Sequence, residues 1–492
     1  MFIRISYKFS YLKVYKNCGT LYNNEPIMQN AVLLLFTGNS KTATQNYIGG
    51  IARMKKVVKF GGSSLASAEQ FKKVGNIIRA EESRRYVVPS APGKRFSADT
   101  KVTDMLYGCY AAAENGEDFT EKLAAIKDRY QEIIDGLGLK FSLDEDFEVI
   151  RKNFSEKAGS NYAASRGEFL NGKIMAAYLG FEFIDAAEVV RFDENGDFQS
   201  EITNEIMSAR LEKAKNAVIP GFYGATEEGR VVTFSRGGSD ITGSLVARAV
   251  NADLYENWTD VSGFLIADPR IVKGSKSIET ITYKELRELS YMGASVLHED
   301  AIFPVRRAGI PINIRNTNAP ADKGTLIVEA TCCQPKYTIT GIAGTDGFAA
   351  ITIEKAMMNS EVGFCRKVLQ VFEDNGVSIE HMPSGIDTMT IFVHKDKFEE
   401  KEQQILAGIH KAVDPDHIEL ESDLALIAIV GRGMKSTRGT AGRIFSALAH
   451  AHINVKMIDQ GSSELNIIVG VRHDDFKNAI KALYEIFVLT QI

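Results

Sequence analysis

Histidine is scarce in the part of the chain that reads as catalytic: of eight, only His298 precedes residue 380. That scarcity argues against a histidine general base or a multi-histidine metal site in this region. No GxxxxGK[ST] run occurs, and no HRD or DFG set, so neither a P-loop nucleotidase nor a protein kinase is expected. The five cysteines, Cys18, Cys109, Cys332, Cys333 and Cys365, are odd in number and lack metal-ligand spacing. Free thiols in a reducing cytoplasm are the reading that fits them. No apolar run reaches the ~18 residues of a spanning helix. A net charge of -5 supplies no bulk positive field for nucleic acid or anionic lipid.

What is present is ordinary for a folded chain: 492 residues, 45% hydrophobic and 25% charged, enough for roughly two to four domains. Residues 1–53 are rich in Tyr, Asn and Lys and show no sustained period of either secondary structure. They are expected to be a disordered extension or upstream sequence, with the true start at Met54 in “MKKVVKF”. From there strand-like and helical runs alternate, “KKVVKF”, “SAEQFKKVGNIIRAEE”, “RRYVVPSAPG”, which argues for an α/β layer structure with a largely parallel sheet. Ser67 and Gln70 fit a capping box ahead of a helix whose Phe71, Val74, Ile77 and Ile78 share a face. Past Lys323 the texture changes into a weak internal repeat. “FAAITIEKAMMNSEVGFCRKVLQVFEDNGVSIEHMPSGIDTMTIFV” and “LALIAIVGRGMKSTRGTAGRIFSALAHAHINVKMIDQGSSELNIIVGV” each read strand, loop, helix, strand, turn, strand, with a second helical run following. This is a ferredoxin-like βαββαβ order written twice.

Three turns in the first region carry chemistry. In “VVKFGGSSLASAEQF” an apolar strand ends in Lys59, and Gly61, Gly62, Ser63 and Ser64 lead into a helix. Glycines let backbone amides approach phosphate oxygens, and the following helix start adds positive potential. “VVTFSRGGSDITGSLVARAV” repeats the device with Arg236 and Asp240 at its turn. “ENWTDVSGFLIADPRIV” places Thr259 and Asp260 at a strand end and Arg270 in a turn. Between them, “ASRGEFLNGK” puts Arg166 and Glu168 in a helical stretch, where the carboxylate serves either as half of a buried ion pair or as a receptor for a ligand's ammonium.

“KFGGSS”, “SRGE”, “FSRGGSD”, “NWTDVSGFLIADPR” and “YMGASVLHEDAIFPV”, in this order and spacing, resemble the aspartate kinases of the amino-acid-kinase superfamily. The resemblance runs from Met54 to the end. It implies an α/β fold: a three-layer α/β/α kinase domain over 54–330, then tandem ferredoxin-like ACT domains over 335–418 and 419–492, with no fused homoserine dehydrogenase. It implies transfer of the ATP γ-phosphoryl group to the β-carboxylate of L-aspartate, giving 4-phospho-L-aspartate, the entry to lysine, threonine and methionine biosynthesis. Such an acceptor is already ionised and needs no base.

By the same resemblance Lys59 contacts the phosphates, Gly61, Gly62 and Ser63 wrap them, and Thr259, Asp260, Leu265 and Arg270 line the nucleotide site. Arg236 would hold the aspartate α-carboxylate. Glu168 and Asp240 would take its ammonium, with Ser90 on a nearby loop. Lys59, Arg236 and Asp240 form the expected catalytic set. Mg²⁺ would be carried by ATP oxygens, and no protein ligand is assigned. Leu265 stands where many relatives have tyrosine, Ser295 where they have lysine, and Glu299 where they have proline. Lys94, Arg95 and Lys101, in “SAPGKRFSADTKVTDML”, are candidates for the missing charge. An amino-acid effector, lysine foremost, is expected at Met358, Ser360, Phe364, Ser384 and Asp387. The implied assembly is a cytoplasmic homodimer through the ACT domains, or a tetramer, with no nucleic-acid or membrane partner. The rival readings are a glutamate kinase of the same superfamily and a non-catalytic amino-acid sensor.

Overall fold

The computed structural model describes residues 54–490, apart from 236, 295, 296, 298 and 332–334. Residues 1–53, Arg236 and Ser295, on which sequence expectations were placed, lie outside the described residues. Two compact units form: one from the chain up to Gly263 with Leu297–Cys333, the other from Phe264–Val296 and Gln334–Ile492. The stretch Phe264–Val296 thus clusters with the C-terminal unit, although it falls within the 54–330 span.

In chain order the strands are β1 Lys56–Phe60, β2 Arg84–Pro89, β3 Glu182–Phe183, β4 Ala217–Val218, β5 Tyr223–Ala225, β6 Val231–Thr233 and β7 Leu254–Thr259, then β8 Thr280–Thr282 in the second unit, then β9 Ile312–Asn316 and β10 Thr325–Val328. The first unit's sheet runs β3-β4-β2-β1-β7-β9-β10. Its central pairs are parallel, and β10 joins β9 antiparallel. β1 reads KVVKF and is buried along nearly its whole length, as a strand covered on both faces must be. The helices beside it are α1 Ala68–Arg79, α2 Val102–Glu114, α3 Thr120–Leu137, α4 Asp144–Ser155, α5 Ser160–Leu179, α6 Ser200–Glu212 and α7 Gly238–Ala249. The amphipathic α1 buries Phe71, Val74, Ile77 and Ile78 as its spacing requires. Only half of the expected capping box forms. The Ser67 hydroxyl accepts from the Gln70 amide, while the Gln70 side chain instead donates to Asn318 at 3.2 Å. Phe60, Phe71, Tyr130, Phe154 and Trp258 anchor a continuous core under these helices, each large side chain contributing about 1.5–3 kcal/mol of burial.

The second unit is built on an antiparallel sheet of β11 Gly341–Glu354, β12 Ile379–His381, β13 Thr388–His394, β14 His417–Val430, β15 Met457–Asp459 and β16 Asn466–Arg472, in the order β12-β13-β11-β14-β16-β15. Its helices are α8 Tyr283–Tyr291, α9 Phe364–Asp374, α10 Glu402–Val413, α11 Thr440–His450 and α12 Phe476–Tyr484. The two copies of the repeat are visible as matched parts: Met358 and Met434 are both buried in short 3₁₀ turns, and Gly363 and Gly439 both take left-handed φ of 84° and 81° before the next helix. One part of the linear division needs correction. The first copy is complete within Phe348–Glu421, where Phe348–Glu354 pairs with β13 and with the start of β14. In the second copy Leu424–Val430 pairs with β16 on one side, and Ala425–Val430 pairs with Gly341–Asp346 on the other. Its fourth strand therefore comes from upstream of the first copy, which is inserted into it. The register shifts between Asp346 and Phe348, across Gly347 at φ 87°, and this bulge separates the two halves of the shared ladder. α8 is held by a full capping box, and its buried Glu285 also accepts from Thr340 Oγ1 at 2.6 Å and Arg432 Nη1 at 2.9 Å.

Candidate active site

β1 delivers Lys59 to the carboxyl end of the sheet, and the chain turns at once. The Gly61 amide donates to the Trp258 carbonyl at 3.0 Å, and Gly62–Leu65 forms one 3₁₀ turn. A second loop, following β2, locks onto this turn: the Gly93 amide donates to the Gly62 carbonyl at 2.8 Å. A Cβ on Gly62 would come 2.9 Å from the Ala91 carbonyl oxygen, and one on Gly93 would come 2.6 Å from the Gly62 carbonyl carbon. Glycine is required at both positions by contact rather than by dihedral angle. Beneath them, Ser64 Oγ and Thr317 Oγ1 share a buried hydrogen bond of 2.7 Å.

Lys59 is buried and paired. Its Nζ lies 2.6 Å from Asp240 Oδ1, and Asn257 Nδ2 donates to the same oxygen at 2.7 Å. Asp240 comes from the first turn of α7; Asn257 stands opposite Lys59 in the β1–β7 register. Parallel pairing thus puts the lysine and the amide side by side, both reaching the start of α7. Asn257 was not singled out from the sequence, because only strand register makes it Lys59's neighbour.

The second cluster lies on α5. Glu168 is 6% exposed, and its Oε2 has no hydrogen-bond partner among the described residues. Burial pushes its carboxyl up to about 8, against the opposing pull of the Ala91 amide and the Lys59 charge. One turn on, Asn171 Nδ2 donates to the Ser90 carbonyl at 2.6 Å while its buried Oδ1 is unpartnered among the described residues. Tyr130 Oη donates to the Gly167 carbonyl at 2.7 Å and fixes the helix there. Arg166 does not pair with Glu168. Its guanidinium packs over Phe169 at 4.4 Å and Tyr162 at 4.6 Å, with Nη2 donating to Ser165 Oγ at 2.9 Å. The ion-pair alternative for Glu168 is therefore excluded, leaving a buried carboxylate with an open acceptor.

Gly62, Ser63, Ser90, Glu168 and Asp260 share one cavity of about 550 Å³, which Thr103 also lines. Thr103 was missed in the sequence because a threonine one residue inside a helix start carries no local signal. Thr259 reaches Asp260 by a hydroxyl bond of 3.1 Å. Leu265 and Arg270 belong to the second unit, where Arg270 is largely exposed and pairs with Asp268 at 2.6 Å. Among the described residues no cluster of three His, Cys, Asp or Glu side chains could hold a metal ion. No described helix is long and apolar enough to cross a membrane.

The effector residues divide. Ser384 and Asp387 are exposed on the β12–β13 hairpin, and Ser360 lies on an exposed turn. The Lys355 amide donates to the Asp387 carbonyl at 2.9 Å, tying hairpin to turn. The Met358 and Phe364 side chains lie inside the first copy's hydrophobic core, so it is their backbones that a polar ligand could meet.

A cavity lined by a glycine turn and by a buried carboxyl with an open acceptor, near a buried lysine–aspartate pair, suits a small ligand that carries charges of both signs. The amino acid kinase family profile matches residues 54–316, and an ACT domain profile matches residues 427–487. Aspartokinase 3 of Bacillus subtilis is 40% identical over 455 residues, covering 88% of this chain and 98% of its own. The crystal structure of Clostridium acetobutylicum aspartate kinase superposes with a TM-score of 0.82 at 53% identity, covering 88% of this chain and 100% of its own. E. coli aspartokinase III shares the fold at 24% identity and a TM-score of 0.66, covering 88% of this chain and 99% of its own; it has been crystallised with aspartate and ADP, and with lysine and aspartate. The chain belongs to the aspartokinase family.

Proposed function

We propose that the protein phosphorylates L-aspartate on its β-carboxylate with ATP, and that lysine bound at the ACT unit restrains it. The observation that carries the reading is Glu168: a buried carboxylate with an unpartnered oxygen, in the same cavity as the glycine turn. Few ligands complement that combination better than an amino acid whose ammonium meets Glu168 while its side-chain carboxylate faces the phosphates. The carboxylate oxygen attacks Pγ, the bond from Pγ to the β,γ-bridging oxygen breaks, and ADP leaves with the electron pair. No proton is transferred, so no histidine base is needed. Lys59, held by Asp240, whose carboxylate also accepts from Asn257, is assigned to the phosphates as a donor whose charge Asp240 already balances. Arg236 is assigned the α-carboxylate, Asp240 supports the ammonium, and Ser90 lines the acceptor side. Thr259 and Asp260 are assigned to the nucleotide. Among the described residues there is no ligand cluster for Mg²⁺; Asp260 is the exposed carboxylate that would face it, and the ion, carried by the nucleotide, would neutralise phosphate charge.

Ser360, Ser384 and Asp387 are assigned to the effector, supported by the E. coli relative crystallised with lysine. A cytoplasmic homodimer through the ACT unit is the proposed assembly. One assay tests the reading: trapping the acyl phosphate with hydroxylamine, using ATP and either aspartate or glutamate. Aspartate-dependent hydroxamate is expected, lowered by millimolar lysine in the parent and not in Ser384→Ala. Glutamate as the better acceptor, or no product, overturns the assignment; equal lysine sensitivity of both proteins overturns the effector site.

A further inference from the structure

The loop between β2 and α2 supplies two cations that Lys59 cannot replace. Lys59 already faces the Asp240 carboxylate at 2.6 Å, so that pair adds no net charge to the cavity. The acidic side chains that line the cavity, Glu168 and Asp260, supply no positive charge, and the exposed Asp260 adds negative charge. A triphosphate carries several negative charges and needs opposing ones close to its terminal phosphoryl group. Three cations on the loop were candidates, and the structure sorts them. Arg95 is committed elsewhere: its guanidinium holds Asp99 at 3.0 Å and Glu132 at 2.9 Å. Lys94 and Lys101 line the cavity, together with Gly62 and Ser63 of the glycine turn. Lys94 Nζ donates to the Ser97 carbonyl at 3.4 Å, and Lys101 has no carboxylate partner among the described residues. Both side chains are exposed to solvent.

The loop presenting them is built rather than loose. Arg129, 4% exposed, donates to Asp99 at 2.6 Å and to the Gly93 carbonyl at 2.8 Å, fastening the loop to α3. The Gly93–Gly62 hydrogen bond then fixes it against the glycine turn. A segment anchored at both ends with two unneutralised ammonium groups over an amide-lined turn is arranged for an anion.

We propose that Lys101 and Lys94 bind the γ-phosphoryl group of the nucleotide, making the site selective for the triphosphate over the diphosphate. This rests on the phosphotransferase reading of the same cavity. The test measures binding without any acceptor. Calorimetry of the full chain with Mg²⁺ and either a non-hydrolysable β,γ-imido ATP analogue or ADP compares the parent with Lys101→Ala, Lys94→Ala and Lys101→Arg. Each alanine variant should weaken the triphosphate analogue about tenfold, the loss of one charged hydrogen bond. ADP affinity should stay within about twofold, and Lys101→Arg should keep most of the analogue's affinity because it preserves the charge. Lys101→Gln serves as a second neutral variant should an alanine protein fail to melt cooperatively. Equal losses for analogue and ADP, or no loss for either, overturn the proposal. A parent chain inactive in the hydroxamate assay would sink the aspartate reading alone, since this binding comparison is scored without aspartate.

Discussion

Glu168 holds a proton at neutral pH because burial disfavours its charge, and an incoming ammonium reverses that preference. Binding of aspartate then requires loss of the proton below about pH 8. The KM for aspartate should therefore fall as pH rises from 6 to 8, by up to about tenfold per unit, and level off above; steady-state kinetics across that range checks it. In Glu168→Gln the slope should vanish and the KM be high throughout. Stability runs the other way. Between the ordinary value of 4.5 and about 8 the folded chain keeps a proton that the unfolded chain has lost, so raising the pH across that window destabilises the fold. Glu168→Gln removes the penalty, and its melting temperature should gain on the parent's from pH 6 to 8.5. Lys59→Met should lower kcat by about 10²–10³ with little change in aspartate KM, measured by the same hydroxamate assay. The residues of these arguments were legible in the sequence wherever a motif carried them, as with Lys59, Glu168 and Asp240. Asn257, Asn171 and Thr103 were not, since their meaning comes from strand register, helix phase and an enclosing loop.

At the level of elements, the two loops at the carboxyl ends of β1 and β2 behave as one piece, because Gly62 and Gly93 meet backbone to backbone. Gly93→Ala should destabilise the protein by about 1–3 kcal/mol, read from urea unfolding, and should weaken nucleotide binding in the fraction that folds. Gly116→Ala, whose added Cβ meets open space, pays only for its left-handed φ of 78° and should leave nucleotide affinity alone. The strand–turn–helix pattern of the first unit was readable from period and punctuation. Only half of the Ser67–Gln70 capping box formed: Gln70 Nε2 donates to the distant Asn318, and Oε1, the atom that would accept from the Ser67 amide, has no partner among the described residues. Local pattern does not disclose such a distant partner.

Across the whole chain, the two ACT copies are not equivalent as folding units. Residues 347–421 contain every strand of the first copy, whereas 424–490 lacks the strand that Gly341–Asp346 supplies. A 347–421 fragment should give a cooperative melt by circular dichroism. A 424–490 fragment should not, and should recover when 341–346 is joined to it. The repeat itself was visible in the sequence; the interleaving was not, because a strand's partner is set by nonlocal pairing that its own residues do not announce. Trp258 ties the largest scale back to the smallest. It is the chain's single tryptophan, buried with its indole donating to Glu256 at 2.9 Å and its carbonyl receiving the Gly61 amide of the glycine turn. Intrinsic fluorescence excited selectively at the indole band consequently has one tryptophan emitter, seated under the glycine turn, and titrating nucleotide into the unlabelled protein should report occupancy there as a shift in its emission.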